Sequence, residues 1–316
     1  MPQPNQASFV DPVSTSFSVQ FRQDADSFVF NKVFPTVPTD VQSAKFYTFD
    51  RSTWHLDDAQ RRGDSEESAG SGYTLSNTSY FCDVWALHKD CGAQTKANHN
   101  RQPLDWRRNA TQFITERLMI KAEREWAAAF FVTGVWGTTT TPANLWSDFV
   151  NSDPLGDVET AKRTVLINTG SIANTMVIGY DVYRRLKLHP DIRDQVKYTS
   201  DRTVTAAKLA EIFEVDNVYV CRTMYNSAVE NETASYGFVH GKHALLCHVP
   251  KVPGLEVPSA GYTVEWTGLN ENGLGSLQVS EIDIPEKKTT RIEGEFAFDF
   301  VIPSSALGYL FLDVVS

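Results

Sequence analysis

Four side chains between residues 240 and 248 are the one group in this sequence whose types and spacing suggest metal chemistry. His240 and His243 are separated by two residues. Cys247 and His248 are adjacent to each other and come four and five residues after His243. Histidine and cysteine are the ligands that zinc prefers. However, residues 244–249 have the apolar character of a buried strand, in which neighbouring side chains point to opposite faces. Cys247 and His248 would then diverge, so we predict a structural cluster and no metal site.

The remaining candidates for acid–base chemistry lie in a densely charged stretch, residues 50–73. Its carboxylates, including Glu66 and Glu67, are close in sequence to Arg61 and Arg62, and pairing or solvation is the usual fate of such groups. Elsewhere the sequence has neither a phosphate-binding loop nor a nucleophile turn. We therefore predict no catalytic residue, no cofactor and no enzyme activity.

Composition excludes several classes of protein. The 316 residues carry 29 Lys and Arg against 39 Asp and Glu, a net charge of −10, with no basic run. A protein whose main role is to bind nucleic acid usually clusters its cations. There is no apolar run long enough for a membrane span and no secretion signal. The four cysteines are far apart, which favours reduced thiols over a disulfide.

The elements around these residues begin with a polar-rich segment, residues 1–39, in which apolar residues such as Phe9, Val13 and Phe17 come singly. Phe17, Val19 and Phe21 alternate with polar residues, a pattern typical of a strand that docks on another surface. The segment has too few apolar residues to fold alone. We predict an arm that becomes ordered only on assembly, with Phe17 and Phe21 contacting a neighbouring subunit.

The charged stretch lies between two strand-like runs and predicts an exposed hairpin. An aromatic strand, residues 45–50, enters it, and residues 80–87 return from it. Mixed charges at this density are typical of a solvated or neighbour-facing loop. We predict inter-subunit contacts by Trp54 on the stem and by tip residues Arg61, Arg62, Glu66 and Glu67. The alternative is a mobile surface loop.

A long amphipathic helix is predicted from about Asp105 to residue 131, with Asp105 as its N-cap and Gly134 as its stop. Its apolar face repeats every four residues and is joined by Phe113 and Phe130. The repeating positions are Ala110, Ile114, Leu118, Ala122 and Trp126. On the opposite face, Lys121 and Glu125 are spaced for an ion pair.

Beyond this helix, helical and strand patterns alternate. Helices are predicted at residues 157–168, 181–188 and 205–213, with Asp181 as a cap, and strands at 175–179, 218–221 and 244–249. Residues 250–290 are rich in glycine and proline and predict loops. Residues 295–312 return to strand character. The fold class predicted is α+β, with two intimate lobes and C-terminal strands that rejoin the first lobe.

Several of these stretches, taken in order along the chain, resemble the major capsid protein of tailed bacteriophages. The matching stretches are Lys32-Val-Phe-Pro-Thr-Val-Pro38, residues 42–50, Glu67-Ser-Ala-Gly-Ser-Gly-Tyr73, Ala86-Leu-His-Lys89, residues 126–136, and residues 174–179 running on to His189-Pro190. The resemblance spans almost the whole chain.

The resemblance implies a domain organisation. Residues 1–39 are similar to the N-terminal arm, 40–90 to the extended loop and its base, and 91–175 to the peripheral domain with spine helix 105–133. Residues 176–289 are similar to the axial domain, and 290–316 to C-terminal strands that return to the peripheral domain.

The function implied is that of a structural virion protein. Copies would assemble in the host cytoplasm as hexamers and pentamers of an icosahedral shell that encloses double-stranded DNA without sequence-specific binding. A portal is an implied partner and a decoration protein a further one. A separate scaffolding protein is expected because the sequence reaches the arm almost at once after Met1. The alternatives are an encapsulin-like nanocompartment shell of the same fold and, remotely, a metal-dependent enzyme using the His240–His248 cluster.

Overall fold

The chain folds into helices packed on two mixed β-sheets. The computed structural model describes residues 23–99, 105–197, 203–229, 232–252, 257–268 and 277–316. The helices in these ranges are α1 (Phe30–Val33), α2 (Arg51–Trp54), α3 (Ala93–His99), α4 (Trp106–Phe130), α5 (Pro154–Thr169), α6 (Tyr180–Leu186), α7 (Pro190–Val196) and α8 (Ala206–Ile212). Within the same ranges, no helix combines the length and apolar character that a membrane crossing needs.

The strands form two five-stranded sheets and two separate hairpins. They are β1 (Thr36–Thr39), β2 (Ser43–Phe49), β3 (Leu75–Phe81), β4 (Asp83–Gly92), β5 (Thr138–Thr140), β6 (Thr175–Gly179), β7 (Asn217–Cys221), β8 (Met224–Asn226), β9 (Tyr236–Phe238), β10 (Ala244–Cys247), β11 (Tyr262–Trp266), β12 (Gln278–Ile284), β13 (Thr289–Val301) and β14 (Gly308–Phe311). Sheet A has the order β1-β11-β13-β12, with β4 also paired to β13, and sheet B has the order β5-β14-β10-β6-β7.

Sheet B separates two hydrophobic cores. Strands β6, β10 and β14 are buried along their whole length. Met176 and Ile178 face the core that contains α5 to α8, whereas Val177 and Leu245 face the core that contains α4 and the N-terminal segment. Alternate residues of a strand point to opposite faces, so burial on both sides explains why these strands are continuous apolar runs.

Helix α4 confirms the predicted long helix. The Asp105 side chain accepts hydrogen bonds from the amides of Arg107 and Arg108 at its start, and all five residues of the predicted apolar repeat are buried. At 25 residues it is roughly 38 Å long. The predicted Lys121–Glu125 ion pair is present. Phe113 is wrongly predicted, since it is 41% exposed with the Arg117 guanidinium over its ring.

The end of α4 also differs from the prediction. The helix stops at Phe130 with Phe131 as its cap, so residues 131–133 are not helical. Gly134 lies beyond the cap, in the turn that follows. It does adopt a left-handed conformation, with φ of 84°, which glycine adopts without steric cost.

The spine formed by α4 lies directly against β13 of sheet A. At Gly294, a Cβ would lie 2.5 Å from Ile114 Cγ2 and 2.8 Å from Leu118 Cδ1. Real side chains do not approach this closely, so glycine at this position allows the helix to lie on the strand. The apolar face of α4 is thus matched to one long strand about 180 residues away in the sequence.

The described part of the N-terminal segment is not a detached arm, which corrects the prediction for residues 28–39. Phe28, Phe30 and Phe34 are at most 4% exposed within the core of α4. Strand β1 then pairs in parallel with β11. Phe17 and Phe21 lie outside the described residues, so their predicted contacts stay predictions. The apolar residues of 28–34 form two short runs, Phe28-Val29-Phe30 and Val33-Phe34, and both pack into the core between α4 and β13.

Three further expectations need correction. Residues 250–290 hold β11, the whole of β12 and the first two residues of β13 as well as loops. Their glycines and prolines lie between strands and do not prevent those strands from pairing in sheet A. Asp181 is not the cap of α6, since Gly179 holds that position and makes no side-chain bond. The C-terminal strands also divide: β13 packs on α4, whereas β14 joins β10 and β5 of sheet B.

Candidate assembly surface

The exposed hairpin predicted from the sequence is formed by β2 and β3. They pair antiparallel from Ser43 opposite Phe81 to Phe49 opposite Leu75, and residues 50–74 connect them. The predicted return strand, residues 80–87, is wrong in its limits. It spans the junction between β3 and β4, which belong to different sheets, because an unbroken strand-like sequence does not show where pairing partners change.

The junction at Cys82 anchors the hairpin to sheet A. The Cys82 amide donates to the Gln42 carbonyl oxygen at 2.9 Å, and the Phe81 amide donates to Asp299 Oδ2 at 3.0 Å. Cys82 itself is fully buried. Burial, helped by nearby Asp299, raises the pKa of its thiol to about 12, so this cysteine is a packing residue and not a nucleophile.

The hairpin carries an unusual amount of exposed apolar surface. The side chains concerned are Tyr47, Phe49, Trp54, Leu56, Tyr73 and Leu75, each at least 39% exposed. Contiguous exposed apolar residues on a monomer mark surfaces that associate. Among the described residues, these six side chains belong to none of the hydrophobic cores of the subunit.

Three of these rings form a cluster where the hairpin meets its loop. The Phe49 ring lies 5.3 Å from Trp54 and 5.5 Å from Tyr73, and the Trp54 and Tyr73 rings are 6.0 Å apart. Helix α2, capped by the Asp50 side chain, brings Trp54 back towards the strands. Trp54 was predicted as a contact residue from the sequence, whereas Phe49 and Tyr73 were not. Their positions on either side of the charged loop could have indicated that the two rings meet.

The loop tip presents its charges to solvent. Arg61, Arg62, Glu66 and Glu67 are all exposed. In the part of the chain that the structure describes, none of the four forms an ion pair. Glu66 only accepts the Gly63 amide at 3.1 Å. The internal pairing that the sequence analysis weighed is therefore absent here, and both signs of charge remain available to another surface.

The four predicted metal-type side chains are not gathered into one site. His243 Nδ1 accepts the Asp313 amide at 3.1 Å, and burial lowers its pKa. His248 Nδ1 donates to the Ile172 carbonyl oxygen at 2.7 Å. Cys247 is buried in β10 between β6 and β14, and burial raises its pKa well above the usual range. Each side chain thus has a separate structural surrounding.

His240 instead joins a buried group that the sequence analysis missed. Among the described residues, one set of metal-type side chains has its ligand atoms within 4.8 Å of one another, namely Glu123, Cys221 and His240. Glu123 Oε2 accepts the amides of Val29 and Phe30 at 2.9 and 3.0 Å, and its Oε1 lies 2.5 Å from His240 Nε2. These contacts give both oxygens of the carboxylate hydrogen-bond partners. Glu123 therefore fixes the N-terminal segment to α4, and we call this arrangement the Glu123 clamp.

Comparison with known proteins finds similarity to phage capsid proteins. No family model matches the chain. The chain is 26% identical over 267 residues to the major capsid protein of Burkholderia phage BcepMu, and the match covers 82% of this chain and 84% of that one. The capsid structure of cyanophage P-SCSP1u matches with a TM-score of 0.61 at 12% identity, over 94% and 90% of the two chains. The chain is thus similar, along most of its length, to the major capsid proteins of tailed bacteriophages.

Two more solved structures share the α+β fold of this chain. A phage-related protein from Bordetella bronchiseptica RB50 matches with a TM-score of 0.70 at 22% identity, over 93% of each chain. A virus-like particle from Pyrococcus furiosus matches with a TM-score of 0.52 at 13% identity, over 88% and 89%. The fold class predicted from the sequence is confirmed, and the similarity to phage capsid proteins supports a structural shell protein.

Proposed function

We propose that this protein is a phage major capsid protein that assembles as hexamers and pentamers into the icosahedral head shell that encloses double-stranded DNA. The proposal rests on the similarity to phage capsid proteins and on one observation, the β2–β3 hairpin with its exposed aromatic cluster and unpaired tip charges. A subunit that closes a shell needs contact surface beyond its own core. Many individually weak contacts of this kind sum to a stable assembly.

Each part of the hairpin has a proposed role at the contact. The cluster of Phe49, Trp54 and Tyr73 supplies apolar area to bury against a neighbour, which is the main source of association energy. Arg61 and Arg62, with Glu66 and Glu67, set the register and the rate of encounter, since rim charges contribute more to these than to affinity.

The remaining roles follow from the same proposal. Residues 91–175 with the α4 spine would form the peripheral domain and residues 176–289 the axial domain around the symmetry axes, while β14 ties the two together. A scaffolding protein, a portal and a decoration protein are proposed partners, and assembly takes place in the host cytoplasm. The net charge of −10 suits a wall that faces DNA without binding it tightly. No side chain has a proposed catalytic role.

Deletion of residues 57–69 tests the proposal. The expected result is a folded subunit with an unchanged melting temperature that forms no shells, because these residues are exposed and outside both cores. Electron microscopy and sedimentation of wild type and variant measure the difference. A Gly/Ser replacement of the same length is the matched control, since it keeps the chain connectivity and removes only the side chains.

Normal shells from both variants would contradict a role for the loop tip in assembly. If the Gly/Ser replacement forms normal shells and the deletion does not, the contact is made by the loop backbone and the aromatic stem and not by the charged side chains of the tip. Wild-type particles that contain a protein cargo and no DNA after assembly in infected cells would instead favour the nanocompartment alternative.

A further inference from the structure

A row of cations follows the outer side of α4, although the protein as a whole carries a net charge of −10. Six cationic groups from α3, β4 and α4 lie 3.9 to 5.1 Å from the centres of aromatic rings. They are Lys89 and Arg117 over Phe113, Lys96 and Arg107 over Trp106, Lys121 over Trp85, and Arg124 over Tyr225. We call these six groups the α4 cation row. They come from three separate elements, so the sequence shows no basic run.

Part of the α4 cation row keeps its charge available. Ion pairs with carboxylates of the subunit neutralise Arg107 and Lys121. In the ranges that the structure describes, Lys89, Arg117 and Arg124 form no ion pair, and all three are exposed. The row therefore retains positive charge that an anion outside the subunit can neutralise.

Arg117 and Arg124 are held in a fixed arrangement. They are seven residues apart, which is close to two helical turns, so both project from the same side of α4 about 10 Å apart. The Arg117 Cζ lies 4.4 Å from the centre of the Phe113 ring, and the Arg124 Cζ lies 4.7 Å from that of Tyr225. A guanidinium group stacked on a ring keeps its N–H edge for hydrogen bonds. The neighbouring carboxylate, Glu116, already accepts the Gln23 amide at 3.0 Å.

This arrangement favours phosphate groups on a regular backbone. A planar guanidinium group with a free edge binds phosphate oxygens through two parallel hydrogen bonds. A separation of about 10 Å corresponds to about three base-pair steps of duplex DNA. The opposite face of α4 packs against β13, so the helix cannot enter a groove and contact base edges. Contacts would be with the backbone alone and independent of sequence.

We propose that the α4 cation row is the surface of the subunit that contacts the phosphate backbone of the enclosed double-stranded DNA, with Arg117 and Arg124 as the main contacts. This inference depends on the proposed function, which supplies DNA as the partner, and adds to it by assigning one surface to that partner. Two or three phosphate contacts per subunit are weak singly, and many copies in a shell sum them.

Salt dependence of DNA binding by the free, full-length subunit tests the proposal. A fluorescein-labelled duplex of arbitrary sequence is titrated at a series of salt concentrations, and fluorescence anisotropy reports binding. For Arg117→Gln combined with Arg124→Gln, the slope of log K against log salt should become shallower by about 1.8, because two phosphate contacts are lost. Arg184→Gln with Arg193→Gln, at exposed positions outside the row, removes the same charge and should keep the slope.

Three outcomes of the titration would overturn the proposal. They are no binding by the wild type at low salt, equal slopes for the wild type and the Arg117/Arg124 variant, and an equal change of slope in the control. Tighter binding of polyglutamate than of duplex DNA would also overturn it and would assign the row to an acidic protein segment.

Formaldehyde crosslinking of wild-type particles from infected cells supplies a second readout. After nuclease and protease digestion, mass spectrometry should find DNA adducts on Lys89 and none on Lys45, which is exposed on the β2–β3 hairpin. DNA-filled shells with adducts on Lys45 and none on Lys89 would overturn the assigned surface and leave the shell function intact. Absence of shells would contradict the proposed function, and the titration of free subunits would then decide the role of the row by itself.

Discussion

Two aromatic clusters of three rings each lie in different surroundings in this subunit. Phe34, Trp126 and Phe130 are separated by 4.6 to 5.9 Å and are at most 2% exposed. Phe49, Trp54 and Tyr73 are separated by 5.3 to 6.0 Å and are 39% to 61% exposed. The ring contacts are alike, so the difference in burial decides what each cluster does. The first holds the subunit together, and the second has surface left for a partner.

The difference originates in what each cluster can pack against. Phe34 enters a cleft between α4 and sheet A, where elements from distant parts of the chain cover it. The hairpin cluster lies on β2, the short helix α2 and the end of the loop, and in the described part of the chain it joins none of the hydrophobic cores. A two-stranded hairpin is marginally stable alone in water, so burial against another surface would stabilise it.

Trp126→Ala should have the largest effect on the subunit. Removing this fully buried ring leaves a cavity in the core, at a cost of about 3–5 kcal/mol. Chemical denaturation measures the loss, and Trp126→Phe is the control. Among the described residues, the buried Trp126 Nε1 has no hydrogen-bond partner, so replacement by phenylalanine loses no hydrogen bond there and should cost clearly less. A Trp126→Ala variant with unchanged stability would remove the contrast between the two clusters.

Gly294→Ala should have the next largest effect. The new Cβ would lie 2.5 Å from Ile114 Cγ2, and forcing α4 away from β13 should cost about 1–3 kcal/mol. Gly92→Ala is the matched control in the same sheet, because its nearest neighbour would be 4.0 Å away. Equal melting temperatures for the two variants would show that the contact between helix and strand tolerates movement.

Glu265 should make subunit stability depend on pH. Burial in β11 raises its pKa from 4.5 to about 7. The folded state then retains the proton where the unfolded state has lost it, so stability is highest below about pH 4.3 and falls as pH rises to about 7. After discounting for partial exposure, the expected loss is about 1–2 kcal/mol.

The measurement is the melting temperature of free subunits across this pH window. Glu265→Gln cannot ionise and should flatten the slope, whereas Glu286→Gln, at an exposed position, should leave it intact. An unchanged slope in Glu265→Gln would assign the dependence to other carboxyl groups, of which Asp299 is the first candidate because burial also raises its pKa.

Trp54→Ala should have the smallest effect on the subunit and a large one on assembly. The ring is 59% exposed, and substitutions at such positions usually change stability by less than about 0.5 kcal/mol. We expect an unchanged melting temperature and few or no shells by electron microscopy. Val150→Ala, at a side chain that is 88% exposed but outside any ring cluster, is the control. Normal assembly of Trp54→Ala would leave the exposed cluster without its proposed role.

Much of the assembly surface was predictable because it depends on local pattern. The high charge density of residues 50–73 correctly indicated an exposed loop, and the aromatic strand before it indicated the hairpin. Phe49 and Tyr73 were missed because their contact with Trp54 depends on how α2 folds back. The buried Glu123 clamp was missed for a similar reason: a carboxylate beside an apolar helix face is normally solvated, and its partners are about 90 or more residues away in sequence.

The sequence alone determined the α+β class, the length and phase of α4, the hairpin and the family resemblance, because periodicity, capping residues and charge density act over short stretches of chain. Only the tertiary structure decided that residues 28–34 belong to the core, that β3 and β4 part at Cys82, and that β14 joins sheet B. These outcomes depend on which distant surfaces meet. The partners of each strand and the burial of each side chain are set by the free energy of the whole packed structure. A local pattern of residues does not contain that information.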